Sequence, residues 1–530
     1  MNNAGAFPAK GSTSALVRRP LKLLLCCEFY HPSRGGVQEV MRQLAERFAA
    51  AGHDVTVATT KLLDRNFSVW NGVKIVEFEV LGNQVRGLEG EVERYRSFLR
   101  NFDGDAVLMK AAQQWTFDAS WPALDDMKCR KVFIPCGFSA LYEPAYERYF
   151  EELPAILAKF DSLIFYAEDY RDINFARTHG LTRLHILPNG ASEKEFGSPP
   201  EPGIRGRLGI PEEALLFITV GTPISMKGHL EVAEAFARLD PRGRPMALVL
   251  NGQWGEKPIE AKPSGSQPPS PPPERERTDA VIEAKPSGSQ RPSPPPERER
   301  TDAVAAIIRR ARLTLKHGGI AAFIKRAVLW IYFRTIWLLV KVFKPILEPI
   351  GKVIHQVHRL IHRILAPHTP PPRLSRTIDE IVLEVAEEPL KTIVKTELPR
   401  AEVVELFFAA DLFVFGSKVE YSPLVLFEAC AAGLPFLSVP AGNSEEIARW
   451  TGGGEICPAE KDARGYIKVD PVVLAAHMDR LIEDEPRRRA LSAAGRAAWQ
   501  QRYTWSVISE QYVAILADDL GAGKTEVLRN

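Results

Sequence analysis

Runs of consecutive apolar residues, each followed by a segment of helical period, restrict this 530-residue chain to a narrow set of folds. The first run is "LKLLLCCEFY" (21–30). A loop, "HPSRGGVQ", leads to "EVMRQLAERFAAAG", where Val40, Leu44, Phe48 and Ala51 fall on one helix face and Gly52 stops it. "HDVTVAT", "KVFIPCGF" and "DSLIFYAE" repeat the strand pattern, and "HILPNG" closes this half on an Asn-Gly turn. Strands that are apolar on both sides belong in parallel sheets covered by helices on each face. A second series opens with "LLFITVGT", "GHLEVAEAFARL" and "MALVLNG". The reading is an α/β protein with two Rossmann-like domains.

The second series is interrupted. Residues 260–282, "EAKPSGSQPPSPPPERERTDAVI", recur as 283–305 with two substitutions. Pro/Ser-rich copies of this kind cannot bury a core, so they read as a duplicated disordered linker and not as a solenoid. The α/β pattern resumes at "KTIVKTE", "AEVVELFFAA" and "DLFVFGS". The expected organisation is an N-terminal domain over 20–200 and a C-terminal domain over 201–255 plus 373–495. Into the latter are inserted a linker (256–302) and a basic amphipathic helical segment (303–372). A C-terminal helix over 496–516 is expected to pack back toward the first domain.

Charge separates the insertion from the rest. Residues 303–366 hold twelve Lys and Arg against one acidic residue, Glu348, a net of +11, and the remainder nets −9. The six cysteines (26, 27, 129, 136, 430 and 457) show no metal-ligand spacing and read as buried thiols of a reducing compartment. Arg18 and Arg19 precede the first apolar run, but that run contains Lys22 and ends at Glu28, so it reads as a strand and not as a signal peptide.

The chemistry is carried by "EYSPLVLFEACAAG" (420–433). Glu420 falls beyond the C-terminal end of the strand "DLFVFGS", where open α/β sheets bind ligands. Ser422 reads as an N-cap, Pro423 as the first helical residue and Gly433 as the stop. A helix N-terminus there offers free N–H groups to phosphate. Glu428, one helical segment further on, is acceptor-only when ionised and suits a ribose diol.

Two glutamates eight apart are weak evidence alone. With "GLPFLSVPAGNSEEIARWTGGGEICP" after them, and "ILPNG", "VGTPISMKGHLEVAEAF" and the "GG" loop before them in order, the chain resembles the retaining glycosyltransferases of the GT-B fold, family 4. The resemblance covers about 20–255 and 376–515. It implies a hexosyltransferase-like enzyme that transfers a sugar, with retention, from a nucleotide diphosphate sugar to an unknown glycan or lipid-linked acceptor, as in polysaccharide or glycolipid synthesis. By the same resemblance Glu420 would bind the donor sugar near the reacting carbon, Lys227 would neutralise the diphosphate, and both would be catalytic. Glu428 would bind the ribose. Gly35 and Gly36 would admit the donor to the backbone of the first domain, and Gly221, Ser422, Pro423, Leu424 and Val425 would complete the donor site. No aspartate motif for a divalent metal stands out, so neither metal nor cofactor is expected.

Two departures matter. Thr222 stands where many relatives carry an arginine, and Cys136–Gly137 stand near where many place a histidine. They support an alternative, a non-catalytic sugar-nucleotide-binding or membrane-tethered scaffold on the same fold.

The insertion reads as an anionic-membrane surface on a cytoplasmic, peripheral protein. Arg334, Lys341, Lys352, Arg359 and Arg363 are 7, 11, 7 and 4 residues apart and keep to one helical stripe, with Arg326 preceding them. Trp330 and Trp337 supply interfacial aromatics. A helical hairpin packed on protein is the competing reading. Nucleic acid is disfavoured, since contiguous bulky apolar residues gain nothing from a phosphate backbone.

Overall fold

The computed structural model describes residues 19–254, 376–462 and 465–518. The linker repeats and the basic segment, with Arg326, Trp330, Arg334, Trp337, Lys341, Lys352 and Arg359, lie outside the described residues.

Two parallel sheets form the frame. The first contains β1 (Lys22–Cys26), β2 (Asp54–Thr60), β3 (Val69–Trp70) and β4 (Val73–Phe78). A separate hairpin, β5 (Val80–Asn83) with β6 (Gly87–Gly90), precedes β7 (Ala106–Lys110), β8 (Arg130–Ile134), β9 (Ser162–Phe165) and β10 (Leu184–Ile186). Their order is β10-β9-β8-β7-β1-β2-β4-β3, and only β3 runs antiparallel to its neighbour. The doubly apolar runs explain this layer. Leu24 and Cys26 face a core with Met109, Trp115, Phe117 and Phe133. Leu23 and Leu25 face the opposite core, shared with Val57 and the helix residues Leu44 and Phe48. Alternate residues point to opposite faces, and each fully buried large apolar side chain contributes about 1.5–3 kcal/mol. A polar substitution at any of these strand positions therefore acts on a core, whichever face it enters.

The second sheet contains β11 (Leu215–Val220), β12 (Met246–Asn251), β13 (Lys391–Thr396), β14 (Leu412–Phe415), β15 (Phe436–Ser438) and β16 (Gly454–Ile456). It is wholly parallel, in the order β13-β12-β11-β14-β15-β16. β12 and β13 pair directly, Met246 opposite Lys391 and Asn251 opposite Thr396, although the insertion separates them in sequence. A short hairpin, β17 (Glu460–Lys461) with β18 (Ile467–Lys468), follows the edge strand.

The C-terminal segment is not one helix. Glu485–Ala498 runs into a wider π-turn at Trp499–Tyr503, and a new helix starts at Trp505, capped by the Thr504 hydroxyl on the Val507 amide at 3.3 Å. The break has a partner. The Ala191 amide donates to the Tyr503 carbonyl at 3.0 Å, and the Ala191 carbonyl accepts the Trp499 indole N–H at 3.1 Å. The helix Trp505–Leu516 then buries Trp505, Ile508, Tyr512 and Leu516 in the core of the first sheet. Among the described residues no helix is long and apolar enough to cross a membrane. Cys26, Cys27, Cys129, Cys430 and Cys457 are buried thiols, and Cys136 is half-buried.

Candidate active site

Glu420 lies in the turn after β14 and Glu428 in the helix Leu424–Ala432 that follows it. The cap differs from the sequence reading by one residue. Pro423, with φ −70° and ψ 115°, is the N-cap, and the helix begins at Leu424. Ser422 is therefore one residue outside the helix. Its hydroxyl is buried without a hydrogen bond, while its carbonyl accepts the Asn189 side-chain amide at 3.1 Å. The proline's extended ψ moves the cap off the serine and leaves the Leu424 and Val425 amides at the open end of the helix. At the other end Gly433, with φ 70°, ends the helix in the left-handed region that glycine adopts without strain.

Lys227 ends a short turn, Ser225–Lys227, that follows β11. This turn is fastened to the one after β14. The Lys418 amide donates to the Met226 carbonyl at 2.8 Å, and the Ser417 hydroxyl oxygen lies 3.2 Å from the same carbonyl oxygen. Gly228 closes the fit: at φ 70°, an added Cβ would stand 1.8 Å from the Gly416 carbonyl oxygen. Only glycine allows this approach. The result is an ion pair between the Lys227 ammonium and the Glu420 carboxylate, whose Oε1 also accepts the Ser417 hydroxyl at 3.0 Å.

Glu428 is buried, at 8% exposure, and its Oε1 accepts Arg400 Nη2 at 2.6 Å. Arg400, at the start of the helix Arg400–Ala409, also forks onto both oxygens of Glu195 at 2.9 Å each. Burial alone would lower the Arg400 pKa, but the Glu428 and Glu195 carboxylates outweigh it and hold the pKa above its ordinary value. Glu428 Oε2 takes no hydrogen bond from the described residues, which leaves acceptor capacity for a diol.

The first domain reaches Glu420 through tyrosines. Tyr170 donates its hydroxyl to the Glu420 carbonyl at 2.7 Å, and the Tyr421 hydroxyl accepts the Tyr166 amide at 3.0 Å. The Cys136–Gly137 region lies against this cluster. Cys136, Gly137 and Phe138 are consecutively left-handed, at φ 65°, 87° and 46°. The Gly137 amide donates to Asp172 at 2.8 Å, and a side chain at Gly137 would press on the Tyr170 and Tyr421 rings at 3.1–3.2 Å. Burial raises the Asp172 pKa to about 6, against the opposing effect of these hydrogen bonds.

Gly35 and Gly36 begin the first helix, Gly36–Ala50. The backbone demands neither: Gly35 is extended at φ 160°, and a Cβ on Gly36 meets nothing within 4 Å. Gly221 follows β11 and precedes Thr222, whose carbonyl accepts the Ile224 amide at 2.8 Å. His31, in the loop before the first helix, stacks on Trp70 with ring centroids 4.1 Å apart.

The structure thus joins Lys227 to Glu420 directly and sets Glu428 one turn along the adjoining helix. Sequence reasoning missed Arg400, Glu195 and Tyr170. No spacing rule connects them to the motif, since each arrives from a different element.

One segment has a family match. Residues 380–498 match Glycosyl transferases group 1. The matched residues include both glutamates and Arg400, whereas Lys227 precedes them. Comparison with curated proteins gives no match. Among solved structures, the chain is similar to a sucrose-phosphate synthase from Thermosynechococcus elongatus, with 16% identity, 94% of this chain and 98% of the other covered, and a TM-score of 0.56. It is also similar to Anabaena HepE in complex with UDP-glucose (12% identity, 94% and 100% covered, TM-score 0.55). A glycosyltransferase from Rickettsia africae is similar at 10% identity, with 95% and 100% covered and a TM-score of 0.56. The shared fold is GT-B, two α/β domains with parallel sheets.

Proposed function

We propose that this chain is a retaining glycosyltransferase of the family 4 type, which moves a sugar from a nucleotide diphosphate sugar to an acceptor hydroxyl. The observation that carries this reading is the Lys227–Glu420 pair at the open end of the helix that holds Glu428. A diphosphate there meets a lysine and free helix amides, with a ribose acceptor on one side and a sugar acceptor on the other. During transfer the bond from the anomeric carbon to the leaving phosphate breaks, and the acceptor oxygen bonds to that carbon on the same face. The acceptor's proton passes to the departing phosphate oxygen. Lys227 and the Leu424 and Val425 amides stabilise the charge that develops on that oxygen. Glu420 orients the sugar, and Arg400 positions Glu428 without touching the reacting atoms.

A solved neighbour is described as a complex with UDP-glucose, so UDP is the first nucleotide to test. Glu428→Ala is expected to weaken UDP binding roughly tenfold or more, since a hydrogen bond to a charged group contributes about 1.5–3 kcal/mol. Glu195 retains Arg400 in this variant, so the fold persists. Titration calorimetry of both proteins checks this, and equal affinity would remove Glu428 from the ribose site.

The basic insertion supports a membrane-surface location on the cytoplasmic side, which suits a lipid-linked acceptor. Each cation near an anionic leaflet contributes about 1 kcal/mol. The full chain is expected to float with anionic vesicles, sensitively to salt, and a variant with residues 256–372 replaced by a short Gly/Ser linker is expected to stay behind. Equal flotation of the two would return the segment to packing or assembly.

A further inference from the structure

A cavity of ≈450 Å³ adjoins Glu420 and is walled by both domains; Glu428 is not among its lining residues. Its lining includes Tyr142, Asp169, Arg171 and Asn174 from the first domain and Glu420 and Lys461 from the second. The charges in it divide unevenly. Each carboxylate already has a donor: Glu420 has Lys227 and Ser417, Asp169 takes the Asn174 amide at 2.7 Å, and Asp462 takes the Tyr466 amide at 2.8 Å. Neither cation, Arg171 or Lys461, lies within ion-pair distance of a carboxylate among the described residues.

Arg171 is also held in place. Its guanidinium lies over the Tyr170 ring, 5.1 Å from the centroid, and donates to the Tyr170 hydroxyl at 2.8 Å. That hydroxyl donates in turn to the Glu420 carbonyl. A fixed guanidinium one residue from the sugar-binding carboxylate's own anchor retains unused donors, a preorganised partner for an oxyanion. Lys461, at the end of β17 in the β17–β18 hairpin, lines the same cavity. Tyr142, 64% exposed, adds an apolar ring face of the kind that stacks on a sugar. A depression between β4 and the helix Val92–Arg100 shows the contrast: there Lys61 pairs with Glu79 and Arg94 with Glu91, so its cations are spent.

We infer that this cavity is a subsite for an acidic sugar, one that carries a carboxylate or phosphate between Arg171 and Lys461. The inference rests on the transferase reading of Glu420 and narrows it to a substrate class. The acidic group belongs either to the transferred sugar or to the acceptor, and two titration series on the full-length protein separate these sources. In the first, UDP-glucose and UDP-glucuronate are titrated into the wild type and the Arg171→Gln/Lys461→Gln double variant. In the second, glucose, glucuronate and glucose 6-phosphate are titrated into the UDP-saturated proteins.

The expected result is at least a roughly tenfold preference for the acidic member in one series. That series identifies the source. The preference is expected to disappear in the double variant while UDP affinity stays unchanged. Equal affinity for acidic and neutral members in both series would overturn the inference, as would a preference that survives the double substitution. A wild type that binds neither UDP nor any other nucleoside diphosphate would contradict the proposed donor chemistry itself, and the inference with it.

Discussion

Lys227→Ala is expected to lower turnover at saturating donor by roughly 10²–10³-fold, the loss of about 2.7–4 kcal/mol seen when a single electrostatic donor is removed from a developing oxyanion. On the proposed reading the effect falls on the chemical step, because Lys227, which pairs with Glu420 in the structure, would meet the leaving phosphate. Glu428→Ala acts at the ribose end and is expected to show mainly as weaker binding, with a smaller loss of turnover. Thr222 supplies no cation to compensate for the lysine. Steady-state kinetics of the two variants separate these roles. Near-normal turnover in Lys227→Ala would mean that other groups hold the phosphate.

Gly228→Ala is expected to destabilise the protein by about 2–4 kcal/mol and to disable the site together with the fold around it. Overpacking alone costs about 1–3 kcal/mol, and a left-handed backbone adds strain for any side chain. Here both apply: φ is 70°, and the new Cβ would lie 1.8 Å from the Gly416 oxygen and 2.3 Å from its carbon. The obstacle is backbone and cannot rotate away. Movement of the 225–228 turn breaks the Lys418-to-Met226 bond and withdraws Lys227 from Glu420. Gly36→Ala is the matched control, because its Cβ meets nothing within 4 Å and alanine favours a first helical turn. Urea unfolding is expected to show a lower midpoint for Gly228→Ala and an unchanged one for Gly36→Ala. An unchanged midpoint for Gly228→Ala would show that the turn yields without cost.

What the sequence disclosed follows from the range of the interactions involved. The sheets were legible because their strands are apolar on both faces, a local pattern that "LKLLLCC" and "DLFVFGS" carry on their own. The helix after Glu420 was legible from Pro423 and Gly433, although the cap was placed one residue early. Serine is the better capping residue by propensity, but proline's backbone takes the extended conformation here and the serine hydroxyl is left unused. The break at Trp499–Tyr503 depends on Ala191, more than three hundred residues earlier, and so left no local signal. The same holds for the Arg400 bridge between Glu195 and Glu428, and for Tyr170 on the Glu420 carbonyl. The motif pairs Glu428 with Glu420 in sequence, and the structure adds that Glu428 is one end of an ionic chain through Arg400 to Glu195. A strict steric demand for glycine falls on Gly228, where two turns meet backbone to backbone, a contact that no local pattern announces.

Whether this cleft transfers sugar is tested most directly by release of UDP from UDP-sugars by the purified full-length protein. Slow hydrolysis of at least one UDP-sugar without added acceptor is expected, because water can take the place of the acceptor hydroxyl once Lys227 and the helix amides stabilise the leaving phosphate. That release is expected to fall in Lys227→Ala. Tight UDP binding with no release from any UDP-sugar tested would contradict sugar transfer and leave the chain a sugar-nucleotide-binding scaffold on a GT-B fold.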